Sequence, residues 1–146
     1  MAKISKKIKM IKKIKKFIVA NNLDGYIIPK NDSYFTEYSN INNLAKITKF
    51  TGSAGFALIL KNKNYLFIDG RYTIQAKQQS GRDFKILEIP YKWPKNLANI
   101  KNSKIGFDPN LFTKDILEKY FENKVKLIPI FFNFNNKFKK KINYFY

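Results

Sequence analysis

Two short apolar runs, Phe56–Leu60 (FALIL) and Tyr65–Ile68 (YLFI), are separated only by Lys61-Asn62-Lys63-Asn64. Continuous apolar runs of this length, bounded by turn signals, suit buried strands. A polar connection of four residues between them predicts an antiparallel hairpin. The hairpin is entered through Gly52-Ser53-Ala54-Gly55. Side chains this small let the chain turn sharply and lie close against a neighbour. A phosphate cradle would continue with Gly-Lys-Ser/Thr, whereas Phe56 and Ala57 follow here, so the four residues are read as a structural turn.

The flanking sequence predicts alternating helices and strands. Ile4, Ile8, Ile11, Ile14 and Ile18 recur at helical spacing with lysines between them, giving an amphipathic helix over 4–18. A Lys-rich helix at this position also fits an organelle presequence or a membrane-surface anchor. It runs directly into the stop signal Asn21-Asn22-Leu23-Asp24-Gly25, which favours the first helix of the domain. Gly25–Ile28 (GYII), closed by Pro29, predicts a buried strand, and Asp32-Ser33 a cap for a helical turn through Glu37 and Tyr38. Asn43–Phe50 is weakly helical. Asp69 is placed to cap a helix over Gly70–Gln79 that ends at Ser80-Gly81. Phe84–Ile89 alternates as a strand, Pro90–Ser103 is a looser stretch, and Ile105-Gly106-Phe107 follows. Thr113 caps a helix through Phe121, and Val125–Ile130 is a last strand placed at an edge by Pro129. This order predicts an α/β fold with a mixed sheet. Residues 1–130 form the domain, and 131–146 read as a basic, aromatic, poorly ordered tail.

Composition narrows the chemistry. The chain has 146 residues, 45% of them hydrophobic, enough for one domain with a packed core. It contains neither Cys nor His, so disulfides, thiolate metal sites and the commonest general base are all excluded. No apolar run is long enough to span a bilayer, and a reducing, cytoplasmic setting is expected. The formal charge is +19, almost all from lysine, since Arg71 and Arg82 are the only arginines. Base and phosphate recognition favours arginine's planar fork. Lys, Asn, Ile, Phe and Tyr rise together, as AT-rich codons would produce, so no specific nucleic-acid partner is expected. A basic module for nucleic acid or an anionic membrane surface is the alternative; it should gather its lysines on one face.

FTGSAG, a hairpin and then DGRYTIQA, preceded by LDGYIIP with a later Glu-Tyr and followed by IGFDPNLFT, resemble the amino-terminal domain of Xaa-Pro aminopeptidases. That is the creatinase/prolidase family, and the resemblance runs in consistent order over residues 4–130. It implies a six-stranded mixed sheet flanked by helices. It also implies a cytosolic enzyme that removes an amino-terminal residue preceding proline. In that family two divalent ions, Mn or Zn, are held by Asp, Glu and His of a later catalytic domain. This chain, without His, is expected to end before that domain, to hold no cofactor and to be inactive alone. Its expected partners are the missing catalytic domain and a second copy. A fragment of a split or decayed gene, a piece of a longer enzyme and a docking subunit all fit. The chain departs from the family pattern at Asn42, Asn43, Lys46 and Lys49, and at Tyr34 where His is common.

Asp69 and Arg71 are the most chemical-looking pair. They are assigned either to a helix cap with a paired guanidinium, which is favoured, or to the substrate entrance and interdomain contacts. Glu37 and Asp108 read as cap or turn residues rather than an acid/base pair. Trp93-Pro94 reads as a plug over the core in preference to a recognition aromatic. The run Lys137–Lys141 reads as solvated tail.

Overall fold

The fold is seen in a computed structural model that describes residues 6–29, Leu44, Thr48 and 55–132. Among these residues, six strands form one mixed sheet in the order β4-β3-β2-β1-β5-β6. The strands are β1 (Gly25–Pro29), β2 (Phe56–Leu60), β3 (Asn64–Asp69), β4 (Lys85–Ile89), β5 (Lys104–Phe107) and β6 (Lys126–Pro129). The helices are α1 (Lys6–Ala20), α2 (Thr73–Ser80) and α3 (Lys114–Phe121). β2 runs antiparallel to both β1 and β3. The β1–β5, β3–β4 and β5–β6 pairs are parallel.

Strand periodicity sorts the side chains into two cores. Tyr26, Ile28, Ala57, Ile59, Leu66 and Ile68 meet Ile11, Ile14 and Ile18 of α1 and Ala76 of α2. Their neighbours Ile27, Phe56, Leu58, Tyr65 and Phe67 point the other way, onto Leu117 and Phe121 of α3 and the Trp93–Ile100 segment. The sheet is therefore the middle of three layers, and its central strands are apolar on both faces because neither face is wet. Full burial of Ile14 and Ile18 stabilises by about 1.5–3 kcal/mol each.

The turn after α1 is built by its sequence. Asn22 takes the left-handed conformation (φ 57), and the Leu23 N–H returns to Ile18 O at 2.9 Å, a terminus that Asn tolerates. Asp24 then joins β1 to β5: its N–H donates to Lys104 O at 2.7 Å, and its Oδ2 accepts from Lys104 N at 2.8 Å. Gly106 on β5 lies under this junction. A Cβ there would stand 2.8 Å from both Leu23 Cδ1 and Tyr26 Cδ1, so a larger residue would push the Tyr26 ring aside.

The structure adjusts several expectations. Asn64 pairs with Ile59, so the hairpin loop is Lys61–Lys63. The segment after β3 begins as a 3-10 turn, Gly70–Tyr72, and becomes α-helix only at Thr73. Leu44 and Thr48 are helical, and Thr48 Oγ1 donates to Leu44 O at 2.8 Å. Gly52, Ser53, Ala54, Glu37 and Lys137–Lys141 lie outside the described residues. Phe132, assigned from sequence to the tail, is buried. Its ring packs edge-on to Phe17 at 5.0 Å, and its N–H donates to Tyr26 Oη at 3.2 Å.

Two stability predictions follow from these contacts. Tyr26 Oη also donates to Ile130 O at 2.8 Å, so Tyr26→Phe strips partners from two backbone groups, one of them the buried N–H of Phe132. The expected loss is about 1–3 kcal/mol in urea denaturation; an unchanged midpoint would show that the carboxyl-terminal segment is not anchored there. Gly55 has φ 143, a conformation closed to side chains, so Gly55→Val should destabilise by about 1–3 kcal/mol. A valine variant melting with the parent would refute that backbone requirement.

Candidate functional site

The chemical-looking residues gather where β3 and β4 end. These strands run parallel with Asp69 opposite Ile89, so their carboxyl ends open onto one rim. Asp69 Oδ1 accepts from Arg71 N at 2.9 Å, capping the 3-10 turn, and lies 3.2 Å from Arg71 Nε. The Arg71 side chain is 73% exposed, and its guanidinium sits over the Tyr72 ring, 5.4 Å from the centroid. The hydrogen bond from Arg71 N, aided by the guanidinium, holds the Asp69 carboxyl below its usual pKa.

Glu88 completes the rim, although the sequence reading did not single it out. Thr73 Oγ1 donates to Glu88 Oε2 at 2.7 Å. The available signal was the alternation of β4: Phe84 and Ile86 belong to the α1/α2 core, and Glu88 is the one charge continuing that face. Two large apolar side chains are exposed next to these residues, Ile74 at 74% and Tyr91 at 80%. The rim therefore has the cap and pairing that the sequence favoured, with the guanidinium still in solvent.

Other candidates are not brought to this rim. Asp108 is buried and closes a turn, its Oδ1 accepting from Asn110 N at 2.9 Å. Burial pushes its pKa up, against the pull of those Asn110 bonds. Trp93 stacks on Tyr120 at 5.7 Å, with Lys119 Nζ 5.2 Å from its ring centroid, and Pro94 is buried; this is the plug over the second core. At the other end of β3, about 17 Å from Asp69 by strand rise, a shallow cleft of ≈ 360 Å³ is lined by Asp24, Lys61, Lys63, Tyr65 and Asn99. Among the described residues, no three of His, Cys, Asp and Glu come together in a group able to hold a metal ion.

Exposed lysines stand on both outer layers, as on α1 (Lys9, Lys12, Lys13, Lys16) and on α3 (Lys114, Lys119). Among the described residues, exposed lysines are therefore not confined to one face.

Over residues 10–130 the sequence matches the Creatinase/Prolidase N-terminal domain. It is 32% identical over 114 residues to Xaa-Pro aminopeptidase 1 of Dictyostelium discoideum, a match covering 73% of this chain and 18% of that protein. The chain thus spans less than a fifth of that curated relative. Among solved structures, the N-terminal domain of cytoplasmic peptidase PepQ from Mycobacterium tuberculosis superposes with a TM-score of 0.64 at 26% identity, covering 84% of this chain and 92% of that one. The X-prolyl aminopeptidase of Caenorhabditis elegans, a cytosolic enzyme with a di-nuclear active site, gives a TM-score of 0.69 at 21% identity, with coverages of 93% and 26%.

Asp69 and Asp108, shifted in opposite directions, predict opposite pH behaviour. Asp69 has a lowered folded-state pKa, so its contribution is present above the ordinary Asp value and is lost as pH falls through the folded one. The Tm deficit of Asp69→Ala should therefore be largest near neutral pH and shrink in acid. Asp108 has a raised folded-state pKa, so its ionised form opposes folding at neutral pH. Asp108→Asn should raise Tm near pH 7, with the gain vanishing below the usual Asp range. Thermal melts across this pH span check both; a reversed slope for either variant would contradict the assignment.

Proposed function

The chain belongs to the Creatinase/Prolidase N-terminal domain family, and on that premise we propose that it is the amino-terminal module of an Xaa-Pro aminopeptidase, non-catalytic by itself. The observation that carries the reading is the family match over 121 of its 146 residues, 10–130, set beside a relative more than five times longer than the matched segment. The donor chemistry supports it. A dimetal peptidase site needs several carboxylates, usually with His, converging on two ions. The chain has no His, and four of its eight described acids are engaged in caps, turns and pairs: Asp69 on Arg71, Asp24 on Lys104, Asp108 on Asn110 and Glu122 on Lys95. The described residues do not fit such a site, and the two divalent ions are assigned to the catalytic part of the larger enzyme.

In this reading the module acts by packing and shaping. Asp69 and Arg71 face the interdomain contact or the substrate entrance, with the guanidinium presented by a rigid turn at the ends of β3 and β4. A cytoplasmic location goes with the cytosolic neighbour; among the described residues no helix is long and apolar enough to cross a membrane. The catalytic portion is the primary partner, and a second copy of the chain the next.

The direct test is an assay of purified chain on Xaa-Pro peptides, with manganese or zinc added. No turnover above background is expected. Metal-dependent release of the amino-terminal residue that follows the protein through successive columns would overturn the proposal.

A further inference from the structure

The charge of this protein is distributed unevenly, and the unevenness has a location. α1 spans KKIKMIKKIKKFIVA, with seven lysines and no acid, while α3 (KDILEKYF) alternates two lysines with Asp115 and Glu118. The α3 layer is further balanced by Glu122, whose carboxylate pairs with Lys95 at 3.0 Å. Among the described residues, no acid pairs with a lysine of α1. Ile11, Ile14 and Ile18 bury one stripe of the helix against the sheet, and Lys9, Lys12, Lys13 and Lys16 project from the opposite, exposed side. Lys15, on the flank, reaches down to the hairpin loop, its Nζ donating to Leu60 O at 2.7 Å and Lys61 O at 3.1 Å. This contact joins the helix to Lys61 and Lys63, both exposed. Asp24 stands at the joint, 3.9 Å from Lys61 Nζ and already accepting from Lys104 N.

The arrangement holds an unrelieved repulsion. Lys9–Lys13 and Lys12–Lys16 are like charges at i,i+4, a spacing that destabilises a helix. No acid stands in the first turn and no base in the last, the reverse of what the helix dipole favours. Packing of the isoleucines holds the helix in spite of this. An array of anions along the exposed stripe would remove the repulsion.

We propose that the exposed face of α1, together with Lys61 and Lys63 of the hairpin loop, binds the phosphate backbone of duplex nucleic acid without reading its sequence. The lysines form point charges on a rigid rod, suited to phosphates; neither arginine belongs to the face, so base edges are not read. No aromatic side chain is exposed on the described part of α1 to stack unpaired bases, which favours duplex over single strand. The apolar stripe is committed to the core, and among the described side chains of α1 Val19 is the one large apolar group left exposed, too little to seat the helix in a bilayer.

The test separates this face from the general charge of the chain. One variant carries Lys→Gln at 9, 12, 13 and 16; its counterpart carries the same change at 101, 114, 119 and 124, also exposed. Gln matches Lys in helix propensity. Binding of a labelled duplex is followed by anisotropy over a salt series. The α1 variant should lose about tenfold or more in affinity, and its log K against log[salt] slope should flatten by about two or more, at about 0.9 per phosphate contact. The counterpart should stay within about threefold of the parent. Lysine acetylation of the unmodified protein, read by mass spectrometry, supplies a measurement independent of variant folding: duplex should protect 9, 12, 13 and 16 and leave 114, 119 and 124 reactive. Equal losses in the two variants, uniform protection, or tighter binding to phosphatidylserine vesicles than to duplex would each overturn the proposal.

Discussion

Everything in this fold depends on both faces of β1, β2 and β3 being dry. Once α1 and α2 close one side and α3 with the Trp93 segment closes the other, an uncompensated polar group in the middle of these strands would be costly. GYII, FALIL and YLFI are apolar without interruption for that reason. Two of the polar groups that do enter find partners: Tyr26 Oη between Ile130 O and Phe132 N, and Ser80 Oγ on Thr48 O; Asn64 Oδ1, at the start of β3, is buried without one. Charge is held to the ends of strands, to helix surfaces and to loops.

That division explains what could be read from the sequence. The isoleucine spacing of α1, the hairpin runs, the Thr113 cap and the edge position of β6 are local signals, and the structure places each where its chemistry predicts. Thr113 Oγ1 accepts from Ile116 N at 3.2 Å, and Pro129 sits on an edge strand, where a missing N–H is tolerated. What escaped depends on tertiary contact. Phe132 looks like tail because nothing in Phe-Phe-Asn-Phe has a period; it is buried because Tyr26, 106 residues earlier, offers its N–H an acceptor. Glu88 was read only as one position of an alternating strand; the parallel register sets it opposite Ile68, and its carboxylate then meets the Thr73 hydroxyl. The Asp69–Arg71 turn was legible, since cap and pair lie two residues apart.

The large positive charge is tolerated because it sits where the core does not need it. The described lysines lie on helix faces, in turns and loops, and at the first positions of β4, β5 and β6. Lys15 is the instructive exception: partly buried, its ammonium has a pKa lowered by desolvation, and two backbone carbonyls receive it. Fold and charge are nearly independent in this molecule, so a family likeness and an unusual electrostatic surface can coexist.

The sheet is laid down from its centre. β1 is the first strand in the chain; β2, β3 and β4 are added outward on one side, and only then do β5 and β6 complete the other. During ribosomal synthesis the β5-facing edge of β1 waits about 75 residues for Lys104–Phe107, roughly 4–15 s at ordinary elongation rates. Through that interval a strand destined for full burial exposes a row of unpaired amides, the condition under which nascent chains recruit chaperones or pair with one another. Asp24 accepts the N–H of Lys104 at the moment the waiting ends, which makes it a natural first contact in closing the sheet.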